Sequence, residues 1–241
     1  MVEVLPFPAA LQSPFSTSVR LVHSFDELLS TPFQADVNAL CWQRKLDGDF
    51  SELLQHIESD TDIVILDEAP FQRMPLSAAG KIASQAMLAD FTRLLNAGLQ
   101  PTIECVNGYQ RDDPDSPVQT DVFSFHVDSA TTETDTWLCT YHGPCSEALL
   151  NTDAIPRIHV PETRARLLAD YGGEDDADFV EWLADNCFDL HYVPRTGAKA
   201  YSFGLGNLWR ISTQHPGAKV PPCVHRAPPT SPGERRLLLI S

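Results

Sequence analysis

Apolar residues in the first hundred positions recur mainly at helical spacing. From Ser77 to Ala97 they line one face of a predicted helix, and Gly98 supplies its stop. A shorter helix is predicted to begin after Ser51, which serves as its N-cap. Two extended segments are expected before and after it, the second a buried strand: 37–44 and 62–67. We therefore expect residues 1–100 to form a mixed, mainly helical layer.

After Pro101 the pattern changes to short apolar or alternating runs separated by Gly and Pro turns. The predicted strands are 102–106, 121–125, 136–141, 200–203, 207–212 and 236–240. Short strands of this kind are typical of an antiparallel sandwich or barrel. An acidic stretch with helical periodicity, about 161–187, interrupts them. The prediction is an α+β fold in a single domain, with an N-terminal helical layer, a barrel core over 101–241 and a helical insertion.

Composition limits the classes of partner. The chain has 241 residues, 43% of them hydrophobic, and 33 acidic against 17 basic residues give a net charge of −16. Such acidity argues against a nucleic-acid backbone or an anionic membrane surface as the main partner. No apolar run is long enough for a bilayer span, and no secretory signal is recognisable, so a cytoplasmic protein is expected. The six cysteines contain no CxxC pair, which favours free thiols.

The clearest chemical pattern is His126-x-Asp128. Residues i and i+2 of a strand point to the same side, so an imidazole and a carboxylate at a strand end can face one point. Alone this pair is a weak signal, because a surface histidine beside a solvated aspartate has the same spacing.

A second element near the C-terminus strengthens the signal. His225 ends an extended segment, a Pro/Gly turn follows, and the next strand begins with Arg235 and Arg236. Two histidines and one carboxylate on one side of a metal form the facial triad of non-haem Fe(II) oxygenases, which leaves positions open for a co-substrate and dioxygen. An arginine entering from the next strand suits a distal carboxylate, because its planar guanidinium pairs both oxygens.

On these residues the chain resembles the Fe(II)/2-oxoglutarate-dependent oxygenase superfamily, over roughly 101–241. The order of parts is also similar, since the segment from Trp137 to Pro144 follows the His-x-Asp turn as a barrel strand does there. More narrowly, 138–144 and 225–228 resemble a bacterial family catalogued as a domain of unknown function, which supplies no substrate.

The resemblance implies a double-stranded β-helix, also called a jelly-roll or cupin-like barrel. It implies His126, Asp128 and His225 as the metal ligands and catalytic centre, with Fe(II), 2-oxoglutarate as co-substrate and O2. Arg236 or Arg235 would anchor the oxo-acid; strand alternation allows only one to point inward, and Arg236 is preferred. The activity would be that of a dioxygenase that hydroxylates or desaturates a small molecule, releasing succinate and CO2.

Neighbouring residues leave alternatives open. Tyr141 is a candidate hydrogen-bond donor to the oxo-acid, although a core tyrosine is the commoner situation. The imidazoles of His159, His191 and His215 are expected to be solvated. Cys223 is expected to pack rather than to ligate a metal.

Two other functions are also compatible with these residues. One is a non-haem iron oxygenase or oxidase that uses no oxo-acid, in which Arg236 is structural or binds substrate. The other is a cupin-like metal- or ligand-binding protein without catalysis. Nucleotide-binding, serine-hydrolase and zincin motifs are absent from the sequence. A monomer or homodimer acting on a small molecule is expected, and the substrate is not predicted.

Overall fold

The computed structural model describes residues 2–7, 15–58, 61–66, 68–231 and 233–241. The strands in these ranges are β1 (Glu3–Leu5), β2 (Val19–Val22), β3 (Ala39–Trp42), β4 (Ile63–Leu66), β5 (Thr102–Val106), β6 (Phe125–His126), β7 (Asp135–His142), β8 (Glu147–Leu149), β9 (Ala154–Pro156), β10 (His191–Pro194), β11 (Lys199–Ser202), β12 (Leu208–Ser212), β13 (Val224–Arg226) and β14 (Arg236–Ile240). The α-helices are α1 (Phe25–Ser30), α2 (Phe50–Gln55), α3 (Glu68–Arg73), α4 (Ala78–Asn96), α5 (Pro161–Tyr171) and α6 (Ala177–Asp185). The fold is α+β.

The strands form two sheets. The first, which we call the site sheet, has the order β1-β11-β8-β13-β6-β10-β9. The second, the helix-backed sheet, has the order β2-β3-β12-β7-β14-β5-β4. Antiparallel pairs are nested along the chain: β5 pairs with β14, β6 with β13, β7 with β12 and β8 with β11. Strands β1 to β4 extend both sheets, so the first hundred residues contribute sheet strands as well as helices.

Side-chain alternation on the central strands builds two cores. Leu138 and Trp209 of the helix-backed sheet share a buried cluster with Ala148 and Tyr201 of the site sheet, so the two sheets pack face to face. On its other face the helix-backed sheet packs against helices, where Leu239 shares a cluster with residues of α2 and α4. Because successive strand residues face opposite sides, β7 and β14 present one row to the helices and the other to the space between the sheets.

The predicted long helix is present as α4. The Ser77 hydroxyl accepts from the backbone N–H of Gly80 at 3.2 Å, and the cap residue at the other end is Ala97. Gly98 follows with φ +83°, a left-handed conformation that favours glycine at a helix end.

The predicted cap of the short helix was wrong. Asp49, not Ser51, caps α2: its carboxylate accepts from the backbone N–H groups of Ser51 and Glu52 at 3.0 and 3.2 Å. The Ser51 hydroxyl itself donates to the same carboxylate, at 2.6 Å. The helix therefore begins at Phe50, because the carboxylate before it satisfies the free N–H groups of the first turn.

Two strand predictions also needed correction. β4 is not buried: Ile63 and Ile65 are 40% and 67% exposed, since β4 lies at the edge of the helix-backed sheet. In the segment 121–125 only Phe125 belongs to a strand. The Asp121 carboxylate accepts from the N–H of Phe123 at 3.0 Å, a local turn that competes with sheet pairing.

Helices α5 and α6 lie inside the range of the expected insertion. Leu167, Phe179 and Leu183 form a small apolar cluster with Val118 of the loop between β5 and β6. No helix in the described ranges has the length and apolar character needed to cross a lipid bilayer.

The fully buried Asp90 of α4 ties the helices to the sheet. Its carboxylate accepts from the guanidinium groups of Arg44 and Arg93 and from the hydroxyl of Tyr141, the last at 2.8 Å. Asp90→Ala would leave the half-buried guanidinium of Arg44 without its counterion. We expect a loss of about 3–5 kcal/mol in the free energy of unfolding, measured by urea denaturation.

The matched control is Asp170→Ala on the exposed face of α5, expected to change the free energy of unfolding by less than about 0.5 kcal/mol. Equal effects of the two substitutions would show that the Asp90 network does not stabilise the fold.

Candidate metal centre

Strand pairing places three histidines side by side. His126 on β6 is paired with His225 on β13 and, on its other side, with His191 on β10. Paired residues of antiparallel strands point to the same face of a sheet, so the three imidazoles form a row on the site sheet. Asp128 follows His126 by two residues and returns its carboxylate to the same side.

Side chains of His126, Asp128 and His225 converge on one point. Their potential ligand atoms all lie within 4.8 Å of one another. The Nε2 atom of His225 is 3.6 Å from Oδ2 of Asp128, and Nε2 of His126 is 3.9 Å from Oδ1. The two ring centroids are 4.6 Å apart. Two nitrogen atoms and one oxygen atom are therefore directed at a single point from the same side.

Neighbouring groups orient each of the three side chains. Nδ1 of His126 donates to the carbonyl of Ser124 at 2.8 Å, and Nδ1 of His225 donates to the carbonyl of Cys223 at 3.2 Å. We assign these tautomers from the carbonyl partners, because a carbonyl can only accept. Each Nε2 then presents its lone pair to the common point. The Thr136 hydroxyl donates to the Asp128 carboxylate. Such outer contacts fix ligand orientation in metal sites.

The electrostatic environment favours a neutral His126 imidazole and an ionised Asp128 carboxylate, the protonation states that bind a metal ion. Burial, reinforced by the proximity of His225, lowers the pKa of His126 to about 4, so its imidazole is neutral near pH 7. Burial alone would raise the pKa of Asp128, but His225, the hydrogen bond from Thr136 and His126 together lower it. The carboxylate is therefore ionised over the same range.

The convergence point opens into a cavity of about 160 Å³ between the two sheets. Its lining includes the three convergent residues together with Tyr109, Val122, Thr136, Leu138, Ser146, Arg226, Ala227, Arg236, Leu238 and Ile240. Arg236 of the helix-backed sheet thus lines the same cavity as the three convergent residues.

Arg236 is 2% exposed. Its guanidinium donates to the carbonyl of Pro144 at 2.8 Å, to the hydroxyl of Ser146 at 3.1 Å and to the hydroxyl of Tyr109 at 3.3 Å. No carboxylate of the described residues forms an ion pair with it; Glu147 pairs with Arg226 instead. Burial lowers the pKa of Arg236, although an arginine remains protonated in proteins. A buried cation held by neutral groups is an unusual and unfavourable arrangement without an anion.

Gly143 brings the end of β7 against the start of β14. Its φ is +85°, and a Cβ there would lie 2.4 Å from the carbonyl oxygen of Arg235 and 3.2 Å from Cα of Arg236. This close approach requires glycine. It places Arg236 beside Pro144 and Ser146, to which it donates.

Arg235, the alternative anchor for the oxo-acid, points away from the cavity. It donates to the backbone carbonyls of Leu54 and Ile57 at 2.6 and 3.0 Å, and to Asn107 Oδ1 at 2.7 Å. Its role in the structure is to tie α2 to the helix-backed sheet. Strand alternation separates the two arginines, as the sequence predicted, with Arg236 inward.

Tyr141 is a core tyrosine, the commoner of its two alternatives, and it does not line the cavity that holds Arg236. Tyr141 lies on the opposite face of β7, where its hydroxyl donates to Asp90 and its ring stacks on Phe50 at 5.5 Å between centroids. Tyr109 occupies the cavity in its place. It lies in the irregular segment after β5, where no periodicity predicts which way a side chain points, so no sequence pattern indicated a role for it.

The expectation of a solvated His191 was wrong, because the residue is 5% exposed on β10 beside His126. His159 is exposed, as expected. Cys223 packs in the core between the sheets, as expected.

Comparisons of the chain with family models, with curated proteins and with solved structures found no match in any of the three. We therefore infer the chemistry of the site from its geometry alone.

His126→Ala or His225→Ala should abolish tight binding of one metal ion, with Fe(II) as the probe, at the candidate centre, because each removes a nitrogen donor. Thr136→Val removes only the hydrogen bond to Asp128 and should weaken metal affinity by about 10- to 100-fold. Metal analysis and anaerobic titration with Fe(II) measure both effects. The matched control is His159→Ala, at an exposed histidine. Metal content unchanged in His126→Ala and His225→Ala would exclude this centre.

The stability of the metal-free chain should depend on pH. Burial and nearby positive charge lower the pKa values of both His126 and His191 from 6.5 to about 4. Between about pH 4 and pH 6.5 the two histidines are therefore protonated in the unfolded chain and neutral in the folded chain. The free energy of unfolding should therefore fall as the pH drops from about 6.5 to 4.

Urea denaturation at several pH values measures this dependence. His191→Gln should flatten it and His159→Gln should not. A free energy of unfolding that stays constant or rises toward pH 4 would contradict the assignment of two neutral, buried imidazoles.

Proposed function

We propose that this protein is a non-haem Fe(II)- and 2-oxoglutarate-dependent dioxygenase that hydroxylates or desaturates a small molecule. One observation carries the proposal. A cluster of two histidines and one carboxylate lines the same cavity as a buried arginine that forms no ion pair with any described carboxylate. The first suits Fe(II) and the second suits the far carboxylate of a dicarboxylic oxo-acid.

The donor set fits iron in this role. Two imidazole nitrogens and one carboxylate oxygen on one side are the facial arrangement of non-haem iron oxygenases. A structural zinc site would instead be closed by four protein ligands. His126, Asp128 and His225 would hold the ion and leave its cavity side open, and the remaining groups around it are apolar or neutral except for Arg236 and Arg226.

Strand pairing supports a double-stranded β-helix as the finer fold. The nested pairs β5–β14, β6–β13, β7–β12 and β8–β11 follow the pattern of an eight-stranded antiparallel hairpin wrapped into two facing sheets. That is the arrangement of a jelly roll. In this arrangement β6 and β13 are neighbours, which brings His126 to His225, and β14 faces them from the other sheet.

Side chains of the cavity have distinct tasks in this proposal. Arg236 pairs both oxygens of the distal carboxylate, while Tyr109 and Ser146 hold its guanidinium in position. The apolar side chains of Leu238 and Ile240 exclude water beside the bound chain of the oxo-acid. Exclusion of water strengthens the ion pair of Arg236 with its ligand.

When bound, the iron would supply the redox chemistry. For hydroxylation the overall reaction is R–H + 2-oxoglutarate + O2 → R–OH + succinate + CO2. One oxygen atom enters the alcohol and the other enters succinate, and the two-electron oxidation of the substrate accompanies that of the oxo-acid. The protein positions both organic reactants so that only the substrate C–H group faces the open side of the metal centre.

The decisive test is anaerobic titration of the Fe(II)-loaded chain with 2-oxoglutarate, followed by the weak visible charge-transfer absorption. Arg236→Gln should raise the Kd of 2-oxoglutarate by about 10- to 150-fold, which corresponds to about 1.5–3 kcal/mol for hydrogen bonds to a charged group. Iron content should not change, because Arg236 is not a ligand. Arg195→Gln, at an exposed arginine after β10, is the matched control.

The other functions give different results. Iron bound without the absorption change, and no succinate formed in air, would exclude the oxo-acid and favour an iron oxygenase that does not use it. Absence of iron binding would favour a binding protein without this catalysis.

A further inference from the structure

Two side chains near His126, those of His191 and Arg157, each have a buried nitrogen atom without a hydrogen-bond partner among the described residues. His191 is 5% exposed, and the nitrogen concerned is its Nδ1. The half-buried Arg157 also has a buried, unpartnered Nε, and its guanidinium forms no hydrogen bond or ion pair with any described residue. Unsatisfied buried polar groups are rare in native proteins and call for a ligand or another specific explanation.

The path of the chain places these two groups near each other. His191 is paired with His126, and their ring centroids are 5.8 Å apart. The last pair between β9 and β10 joins Pro156 to Tyr192, and Arg157 follows Pro156 as the first residue of a 3-10 helix, Arg157–His159, that lies against β10. The row of imidazoles on the site sheet therefore runs His225, His126, His191, and Arg157 lies beyond its His191 end, where its charge acts on His191.

The charges around His191 come from several segments. Arg157 contributes a positive charge, Asp112 and Asp121 of the loop before β6 contribute negative charges, and His126 is the neighbouring imidazole. The Asp112 carboxylate already accepts from the backbone and hydroxyl of Thr120. Asp121 accepts from the backbone of Phe123 and of Asp112. Neither carboxylate forms an ion pair with Arg157 among the described residues.

This environment favours one class of anion. A free guanidinium and a free ring N–H can bind a carboxylate through two or three charge-assisted hydrogen bonds. The two neighbouring aspartates would repel a dianion such as phosphate more strongly than they repel a monoanion. The ligand class that fits is thus a carboxylate.

We propose that Arg157 and His191 bind a carboxylate group of the substrate, which makes the substrate a small carboxylic acid. The inference rests on the proposed function, because it takes the centre at His126, Asp128 and His225 as the place of reaction. The two organic reactants then have separate arginines. Arg236 on the helix-backed sheet anchors the oxo-acid, and Arg157, which follows β9 of the site sheet, anchors the substrate beyond His126.

The test uses acids and their neutral amides as matched probes. Octanoate and octanamide, phenylacetate and phenylacetamide, and N-acetylglycine and its amide are titrated calorimetrically into the Fe(II)-loaded chain. The titrations are anaerobic, with saturating 2-oxoglutarate, so that Arg236 is occupied. At least one acid should bind about 10-fold or more tightly than its amide, as expected for hydrogen bonds to a charged group.

Variants assign the preference to the proposed groups. Arg157→Gln should remove it, while Arg195→Gln, at the exposed arginine after β10, should retain it. His191→Phe, the second variant in case Arg157→Gln does not fold, should lower the preference by about 2- to 12-fold through loss of one hydrogen bond. Circular dichroism and the Kd of 2-oxoglutarate should be unchanged in each folded variant.

Three results would overturn the inference. They are equal or absent binding of acids and amides, an acid preference that survives both Arg157→Gln and His191→Phe, and displacement of 2-oxoglutarate by the acid.

Failure of the proposed function is seen separately, when the natural chain does not bind iron or does not bind 2-oxoglutarate. In that case an acid preference that depends on Arg157 in the metal-free chain would still establish the carboxylate site.

Discussion

The antiparallel pairing of β6 with β13 is the constraint on which the candidate site depends. It sets His126 directly opposite His225, and the two-residue spacing to Asp128 then brings a carboxylate between the two Nε2 atoms. β6 has only two residues, so the pair is held by its neighbours: β13 also pairs with β8, and β6 also pairs with β10. Rigid sheet elements position ligands more accurately than loops do.

A second constraint is the charge of Arg236 in a buried position. Three neutral acceptors hold its guanidinium in place, and no described carboxylate neutralises it. Elsewhere in the same chain a buried carboxylate, Asp90, is surrounded by two arginines and a tyrosine. The contrast matters because the chain has a large excess of acidic residues. In such a chain an arginine for which the described residues supply no carboxylate partner is a candidate binding group.

The two sheets carry different residues of the candidate site. The site sheet carries the row His225, His126 and His191, and Arg157 follows its edge strand β9. The helix-backed sheet carries Arg236 and an apolar lining from β7 and β14. Helices α1, α2 and α4 cover the outer face of that sheet, and α5 and α6 pack on the loop before β6.

Local patterns along the chain were sufficient to predict the elements whose signals span a few residues. Helical periodicity with Ser77 and Gly98 at its ends predicted α4, and alternation predicted that one of Arg235 and Arg236 points inward. The two-residue spacing of His126 and Asp128 predicted that they share a face of a strand, and the C-terminal pattern of a histidine, a turn and an arginine-led strand added His225. Contacts between distant segments could be seen only in the folded chain. The tertiary structure placed Tyr141 against Asp90, Tyr109 against Arg236, and His191 beside His126, since these contacts depend on strand register and loop paths that local patterns do not encode.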